Sequence, residues 1–341
     1  MSAAQTGLTV AVTGPTGTFG SGLIPLLEAD DRIARVVGIA RRPFDPIARG
    51  WTKMEYRQGD VRDPDALTEA FRDADVVVHL AFLITGTSSR ETTRAINVDG
   101  TLNTFRAAAD AGAGRFVYAS SVAAYGFHPD NPDPMTEQWP TRPANRLFYA
   151  REKAELERLL ADQADAHPEL DLYLLRPPVV LGPAFLGAKD VLPGPLAPLG
   201  RRIAASLGRA GGLPVPLPVA VPNFTTQFVH GDDVGLALLL CIVAAGPPGA
   251  YNIAGDGVLT GAQIARELGA VPFVLPTGPT RAAARGFSRL PFLPPAAEWV
   301  EVLAHPPIMD TTRARTELGW KPRYTGLEAL RDTVRALADP R

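Results

Sequence analysis

Tyr149 and Lys153 stand four residues apart in Tyr149-Ala150-Arg151-Glu152-Lys153, a spacing that sets a phenol and an ammonium on one helix face. A phenol with a pKa near ~10 is a poor proton carrier at neutral pH. A lysine beside it stabilises the phenolate and brings the group toward a useful range. Upstream, an apolar run ends in Ser120 and Ser121, followed by Val122-Ala123-Ala124-Tyr125-Gly126. A serine hydroxyl at the carboxyl end of a central parallel strand can hold a carbonyl or alkoxide oxygen. Many helices carry Tyr-x-x-x-Lys and many strands end in serines, so neither feature decides alone.

A third feature precedes both. Residues 8–13 read as a strand, and Gly14-Pro15-Thr16-Gly17-Thr18-Phe19-Gly20 leads from it into a helical pattern. Glycines at 14, 17 and 20 suit a tight turn, close backbone approach to a pyrophosphate, and an anion seated on a helix N-terminus. The second strand ends at Ala40, and Arg41 and Arg42 follow. A dinucleotide site for NAD usually places an acid there, whereas arginine accommodates a 2′-phosphate. The expected cofactor is therefore NADP, with NAD possible. After the third strand, Asp60 is placed to reach an adenine amino group and Val61 to cover the ring.

These residues need a scaffold, and the first half of the chain supplies its pattern. Apolar runs at 8–13, 35–40, 54–58, 75–80, 115–120 and 172–175 alternate with helical stretches at 18–29, 64–72, 90–111 and 145–164. Six strands separated by helices predict an α/β fold, a doubly wound parallel sheet. Asp63 before Pro64 reads as a helix cap. Residues 183–222 are rich in Pro, Gly, Leu and Ala, too apolar for a linker. Beyond them lie a strand at 223–230, a helix at 232–245 capped by Asp232 or Asp233, a strand at 250–253, a short helix at 260–268 capped by Thr260, and a final amphipathic helix at 327–338.

Composition removes other classes of function. The chain has 341 residues and a formal net charge of −2, without the basic footprint of a nucleic-acid binder. Cys241 is the single cysteine, so no internal disulfide forms, and it should be inert in its apolar helix. Five scattered histidines lack metal-ligand spacing. His79 reads as a structural histidine, and His230 with Asp232 and Asp233 as a strand end and helix cap, so no metal is expected. The N-terminus has no basic leader, and the longest apolar stretch, 236–245, is too short to span a membrane. A cytoplasmic protein of a reducing compartment, with a small-molecule substrate and no membrane partner, is the expectation.

Taken in order, the glycine triplet, the serine pair and Tyr149/Lys153 make the sequence resemble the extended short-chain dehydrogenase/reductases, the NAD-dependent epimerase/dehydratase family. Further matching segments are Gly59-Asp60-Val61-Arg62, Val77-Val78-His79-Leu80-Ala81, Asn97-Val98-Asp99-Gly100-Thr101, Leu175-Arg176-Pro177-Pro178 and Phe228-Val229-His230-Gly231-Asp232-Asp233-Val234. Late echoes are Tyr251-Asn252-Ile253, Asp310 and Leu318-Gly319-Trp320-Lys321-Pro322. The resemblance implies a Rossmann-type sheet with a smaller, interleaved C-terminal substrate lobe. Residues 1–178 would form the dinucleotide-binding domain, with 223–255 returning to it, and 179–341 mainly the substrate lobe. It implies Ser121 as the substrate-binding serine, Tyr149 as general acid/base and Lys153 as its electrostatic partner. Leu80 and Ala81 would line the cofactor cleft, Asn97 would support it, and the backbone near Pro177 and Val180 would touch the nicotinamide. A homodimer through the helices at 90–111 and 145–164 is implied as well.

Departures from the family pattern bear on chemistry. Sugar-nucleotide epimerases of this kind carry an asparagine at the place of Val179 and an arginine at the place of Thr226. The 4,6-dehydratases have a threonine and then an Asp-Glu pair where this chain has Ser121-Val122-Ala123. With Leu, Pro, Phe and Val filling 181–224, the expected activity is carbonyl–alcohol interconversion on a lipophilic molecule. The alternative is an NAD-dependent epimerase acting on a sugar nucleotide or related substrate.

Overall fold

The computed structural model describes residues 7–84, 89–183, 218–276, 302 and 305–338. Apolar, β-branched runs form β1 (Leu8–Thr13), β2 (Ile33–Ala40), β3 (Met54–Gln58), β4 (Val76–His79), β5 (Arg115–Ala119) and β6 (Asp171–Arg176). Shorter strands follow: β7 (Val179–Leu181), β8 (Pro218–Pro222), β9 (Thr225–Thr226), β10 (Phe228–His230), β11 (Gly249–Asn252), β12 (Leu259–Thr260) and β13 (Val271–Leu275). The helices are α1 (Thr18–Ala29), α2 (Pro64–Phe71), α3 (Arg90–Arg94), α4 (Gly100–Asp110), α5 (Phe148–Ala166), α6 (Gly231–Ile242), α7 (Gly261–Glu267), α8 (Thr312–Glu317) and α9 (Gly326–Ala338).

Seven strands form one sheet in the order β3-β2-β1-β4-β5-β6-β11, every pairing parallel. The direction of winding reverses between β1 and β4, which opens the crevice where such sheets bind ligands. The seventh strand, β11, sets Gly249 opposite Tyr173 and Asn252 opposite Arg176. Thus the chain returns to the sheet after leaving it at β6. Smaller pairs are β7 with β10, β8 with β13, and β9 with β12.

Two cores sandwich the sheet. On one face α1 and α6 pack Leu23, Ile24, Leu27, Val234, Leu238 and Cys241 against Val10, Val12 and Val36. On the other, α2, α4 and α5 bring Leu67, Phe71, Phe105, Leu156 and Leu160 onto Ala11, Val37, Val77 and Phe116. Each large aliphatic side chain so buried contributes about 1.5–3 kcal/mol.

Several local readings need adjustment. The helix expected at 90–111 is three pieces, α3, a π-helical turn over Ala95–Asp99, and α4. The strand expected at 223–230 is β9 and β10, interrupted at Gln227, whose amide exchanges bonds with the main chain of Met309. The cap of α6 is His230, whose Nδ1 accepts from the Asp232 amide at 3.2 Å. Asp233 is fully buried instead and accepts from the amides of Arg323 and Tyr324. Asp63 caps α2 and Thr260 caps α7 as expected. Most of the apolar stretch read at 181–224 lies outside the described residues. Among those described, no helix is long and apolar enough to cross a membrane, and no cluster could hold a metal ion.

Candidate active site

The turn from β1 into α1 is built around its glycines. Gly14 has φ +68°, and a Cβ there would stand 3.0 Å from the Ala81 amide nitrogen. A Cβ on Gly20 would be 2.0 Å from the Pro15 carbonyl oxygen. Gly17 caps α1 without a side chain, and the first turn holds no acid. The N-terminal amides of α1 therefore keep their attraction for an anion. Thr16 is exposed, Thr18 and Phe19 half-buried.

Behind the loop, His79 bridges Thr13 (2.7 Å to Nδ1) and Thr101 (2.9 Å to Nε2). Thr101 spends its proton on the Asn97 carbonyl, so it accepts from Nε2–H, and Nδ1 accepts from Thr13. The Thr13 oxygen is then open to the amides of Leu80 and Ala81, both at 3.3 Å. Burial pushes His79 down to about 3, so it is a neutral clamp. It holds the Leu80–Ala81 edge against the glycine loop. Asn97 sits in the π-turn, where irregular helix often serves a site. Its amide pairs with both main-chain groups of Leu83 and donates to Glu152 at 2.8 Å. That fixes the segment after Leu80.

At the end of β2, Arg41 and Arg42 are exposed, and their main chain is tied down by Gln58 and Tyr56. The neighbouring acid, Asp60, pairs within its own loop. Both oxygens of Asp60 receive the Arg62 side chain, at 2.7 and 3.0 Å, and this pairing holds its carboxyl below the usual range. Val61 is 7% exposed, with Gly100 of α4 so close that a Cβ there would be 2.5 Å from Val61 Cγ2. Its side chain belongs to the core under α4.

Three successive residues at the end of β5 meet α5. The Ser121 hydroxyl accepts from the Ala123 amide at 3.1 Å, capping the short helical turn Val122–Tyr125, and it hydrogen-bonds the Tyr149 phenol. Ser120 points the other way and donates to Glu157 at 2.5 Å. The serine pair is thus divided between the cleft and the core. Lys153 is 2% exposed and donates to the Ala119 carbonyl (2.7 Å) and the Tyr118 hydroxyl (2.9 Å). The Phe82 ring covers its ammonium at 3.7 Å and meets Tyr149 edge-on. The Pro177 carbonyl accepts from the Val122 amide at 2.9 Å, so β6 is stitched to the Ser121 turn. Val180 lies in β7 with its side chain in the core.

Burial dominates the electrostatics of the pair. Burial raises Tyr149 to about 12, against the lowering effect of Ser121. Burial also lowers Lys153 to about 7, although Glu157 and Glu152 oppose this. Within the chain itself Lys153 does not bring the phenol down. Its ammonium is 5.9 Å from the Tyr149 ring centre and spends its bonds on Tyr118 and Ala119.

Sequence reasoning passed over a buried network under the site. Arg176 donates to Glu157 through Nε (3.0 and 3.1 Å) and Nη2 (2.5 Å). Its Nη1 donates to Tyr125 at 2.7 Å, and Tyr125 to Asn252 at 2.8 Å. A signal was present: Glu157 continues the spacing of four from Tyr149 through Lys153.

The strand order and the glycine-rich first turn define a Rossmann-type α/β protein. More narrowly, the chain belongs to the NAD dependent epimerase/dehydratase family, whose model matches residues 10–254. An uncharacterised protein of Mycobacterium tuberculosis is 28% identical over 340 residues, spanning 96% of this chain and 83% of that one. An L-arabinose 1-dehydrogenase (NAD(P)(+)) of Haloferax volcanii is 34% identical over 112 residues, 33% of this chain and 40% of that one. In fold the chain is similar to the UDP-glucose 4-epimerase of Thermus thermophilus, solved with NAD. There the TM-score is 0.70 at 22% identity, covering 98% of this chain and all of the other.

Proposed function

We propose that this protein is an NAD(P)-dependent oxidoreductase that interconverts a carbonyl and an alcohol by hydride transfer on a lipophilic small molecule. The observation that carries this reading is the bond between Ser121 and Tyr149, with Lys153 one helical turn along, at the carboxyl end of β5 in the sheet that bears the glycine loop. The chain's residues fit a dinucleotide. Gly14 holds a left-handed φ of +68° and Gly20 leaves no room for a Cβ, and the α1 N-terminus with Gly17, Thr16 and Thr18 would take the pyrophosphate. Arg41 and Arg42 would take a 2′-phosphate, which favours NADP. Leu80 and Ala81 would line the cleft on one side, with Pro177 and Val180 on the other.

The cofactor, when bound, supplies or accepts the hydride. Ser121 holds the carbonyl or alkoxide oxygen, and the Tyr149 hydroxyl gives that oxygen its proton in reduction and takes it back in oxidation. Lys153 stands beside the phenol, where burial lowers it to about 7 and the carboxylates of Glu157 and Glu152 favour its charged form. Val179, 38% exposed at the start of β7, and Thr226 offer neither the amide nor the guanidinium of the sugar-nucleotide enzymes. An apolar substrate suits them better.

Similarity to the Thermus epimerase favours one second reading, an NAD-dependent epimerase that keeps its cofactor through the cycle. Native mass spectrometry of the purified protein, followed by titration with NADPH and NADH, separates the two. Tighter binding of NADPH, with the preference falling at least about tenfold in Arg41→Ala/Arg42→Ala, is the expected result, since each lost charge-assisted bond is worth ~1.5–3 kcal/mol. Stoichiometric NAD retained through purification would select the epimerase. On a lipophilic carbonyl panel, Tyr149→Phe should lose most turnover while NADPH affinity stays within about twofold, as for a group that acts only in the chemical step.

A further inference from the structure

The end of β5 is latched to α5 at three successive positions by residues spaced four apart on the helix. Tyr149 engages Ser121, Lys153 engages the Ala119 carbonyl at 2.7 Å, and Glu157 engages the Ser120 hydroxyl at 2.5 Å. Two of these belong to the proton-transfer pair. The third is a carboxylate, 3% exposed, whose two oxygens are filled by Ser120 and Arg176. Arg176 is itself 5% exposed and runs on to Tyr125, within the turn that Ser121 caps.

We infer that Glu157 is a positioning residue of this site: braced by Arg176, it fixes the strand end that carries Ser121 and keeps a negative charge next to the buried Lys153 ammonium. The placement has a physical reason. A lysine withdrawn from water tends to lose its proton, and among the described residues Lys153 donates to two uncharged oxygens, the Ala119 carbonyl and the Tyr118 hydroxyl. The ring faces of Phe82 and Tyr118, at 3.7 and 4.5 Å, favour the cation without forming a salt bridge. Glu157 and Glu152 are the carboxylates that favour the charged form. Glu152 is tied to Asn97, away from the strand end. Glu157 alone joins the charge to the serine pair. Its own oxygens bond Ser120 and Arg176, while Lys153 donates to Ala119 and Tyr118.

The inference rests on Tyr149 and Lys153 as the proton-transfer pair, but its test needs neither substrate nor cofactor. The chain has four lysines, Lys53, Lys153, Lys189 and Lys321. Lysine labelled with carbon-13 at the ε position therefore gives four signals in the full-length protein, and Lys153→Arg assigns the one that matters. Its titration midpoint is expected near 7. In Glu157→Gln that midpoint should move to lower pH, by a loss of roughly tenfold in proton affinity. Because Glu157→Gln leaves the buried Arg176 guanidinium without its carboxylate, a strongly destabilising change, Glu157→Gln/Arg176→Gln, which removes both members of the ion pair, is measured beside it. A lowered midpoint in either folded variant, restored by Glu157→Asp, supports the inference. An unchanged midpoint in a folded variant overturns it. If neither variant folds, Ser120→Ala decides: faster hydrogen exchange at the Val122 and Ala123 amides is expected, and unchanged exchange overturns the inference. Failure of dinucleotide binding would overturn the proposed function without altering any of these readings.

Discussion

Lys153 carries a cost that depends on pH in a known direction. Folded, it gives up its proton at about 7; unfolded, a lysine holds it to ~10.4. Between those values the unfolded chain binds more protons, so this group's contribution to stability rises with pH. Lys153→Met keeps the length of the stem and removes the titration. Stability of the wild type relative to this variant should climb by up to ~1.4 kcal/mol per pH unit between about pH 7 and pH 9.5. Urea unfolding of both proteins across that range measures it, and parallel pH profiles would contradict a buried, easily deprotonated lysine. The candidate pair was legible at this scale, because covalent spacing alone puts Tyr149 and Lys153 on one face. The directions of their bonds were not. Nothing in the sequence says that Lys153 turns to Tyr118 and Ala119, that Arg62 occupies Asp60, or that Ser120 and Ser121 face opposite ways. Those outcomes are set by the pleat of β5 and by which partner the packed chain brings within reach.

Among the elements, the early strands were readable because each apolar run is bounded by a turn or a cap. The run at 8–13 ends at Gly14, and α2 begins with the Asp63 cap and Pro64. Where tertiary contacts cut an element, the sequence stayed silent. Gln227 breaks the strand expected at 223–230 because Met309 pairs with its side chain, and the π-turn at Ala95–Asp99 aims Asn97 at Leu83. The contact of α1 with α6 is another such case. A Cβ on Gly235 would lie 2.3 Å from the Gly22 carbonyl oxygen, and one on Gly22 would lie 2.5 Å from the Gly231 carbonyl oxygen. Helix propensity alone predicts that Gly235→Ala stabilises by about 1 kcal/mol. Backbone overlap predicts the reverse, a loss of about 1–3 kcal/mol or more. The sign of the change in urea unfolding therefore reports how closely the helices approach, and a loss is expected. Gly114→Ala, whose Cβ would meet nothing nearer than the Asp75 carbonyl oxygen at 3.9 Å, should show no comparable loss.

At the scale of the molecule, the C-terminal segment is woven into the sheet's own core. Trp320 is fully buried, and its indole donates to the Asp233 carbonyl at 2.9 Å. Ala314, Leu318 and Trp320 share one cluster with Val10, Leu23 and Val234. Met309 and Ile308 are threaded beside Gln227 and Met135, and Asn252 at the end of β11 donates to the carbonyls of Met135 and Asp310. The same Asn252 accepts from Tyr125, the far end of the network that starts at Ser120. Residues from the middle and the end of the chain thus converge under the cleft. A segment that packed only on itself would melt by itself; one that fills the main core cannot leave without opening the sheet. Trp320→Ala should therefore cost about 3–5 kcal/mol and lower a single cooperative transition. Circular dichroism and hydrogen exchange at the Val10 and Val12 amides should follow one urea midpoint, displaced equally in both. Loss of C-terminal structure in a separate, earlier step, with β1 protection unchanged, would mean that the segment rests on the sheet without helping to hold it.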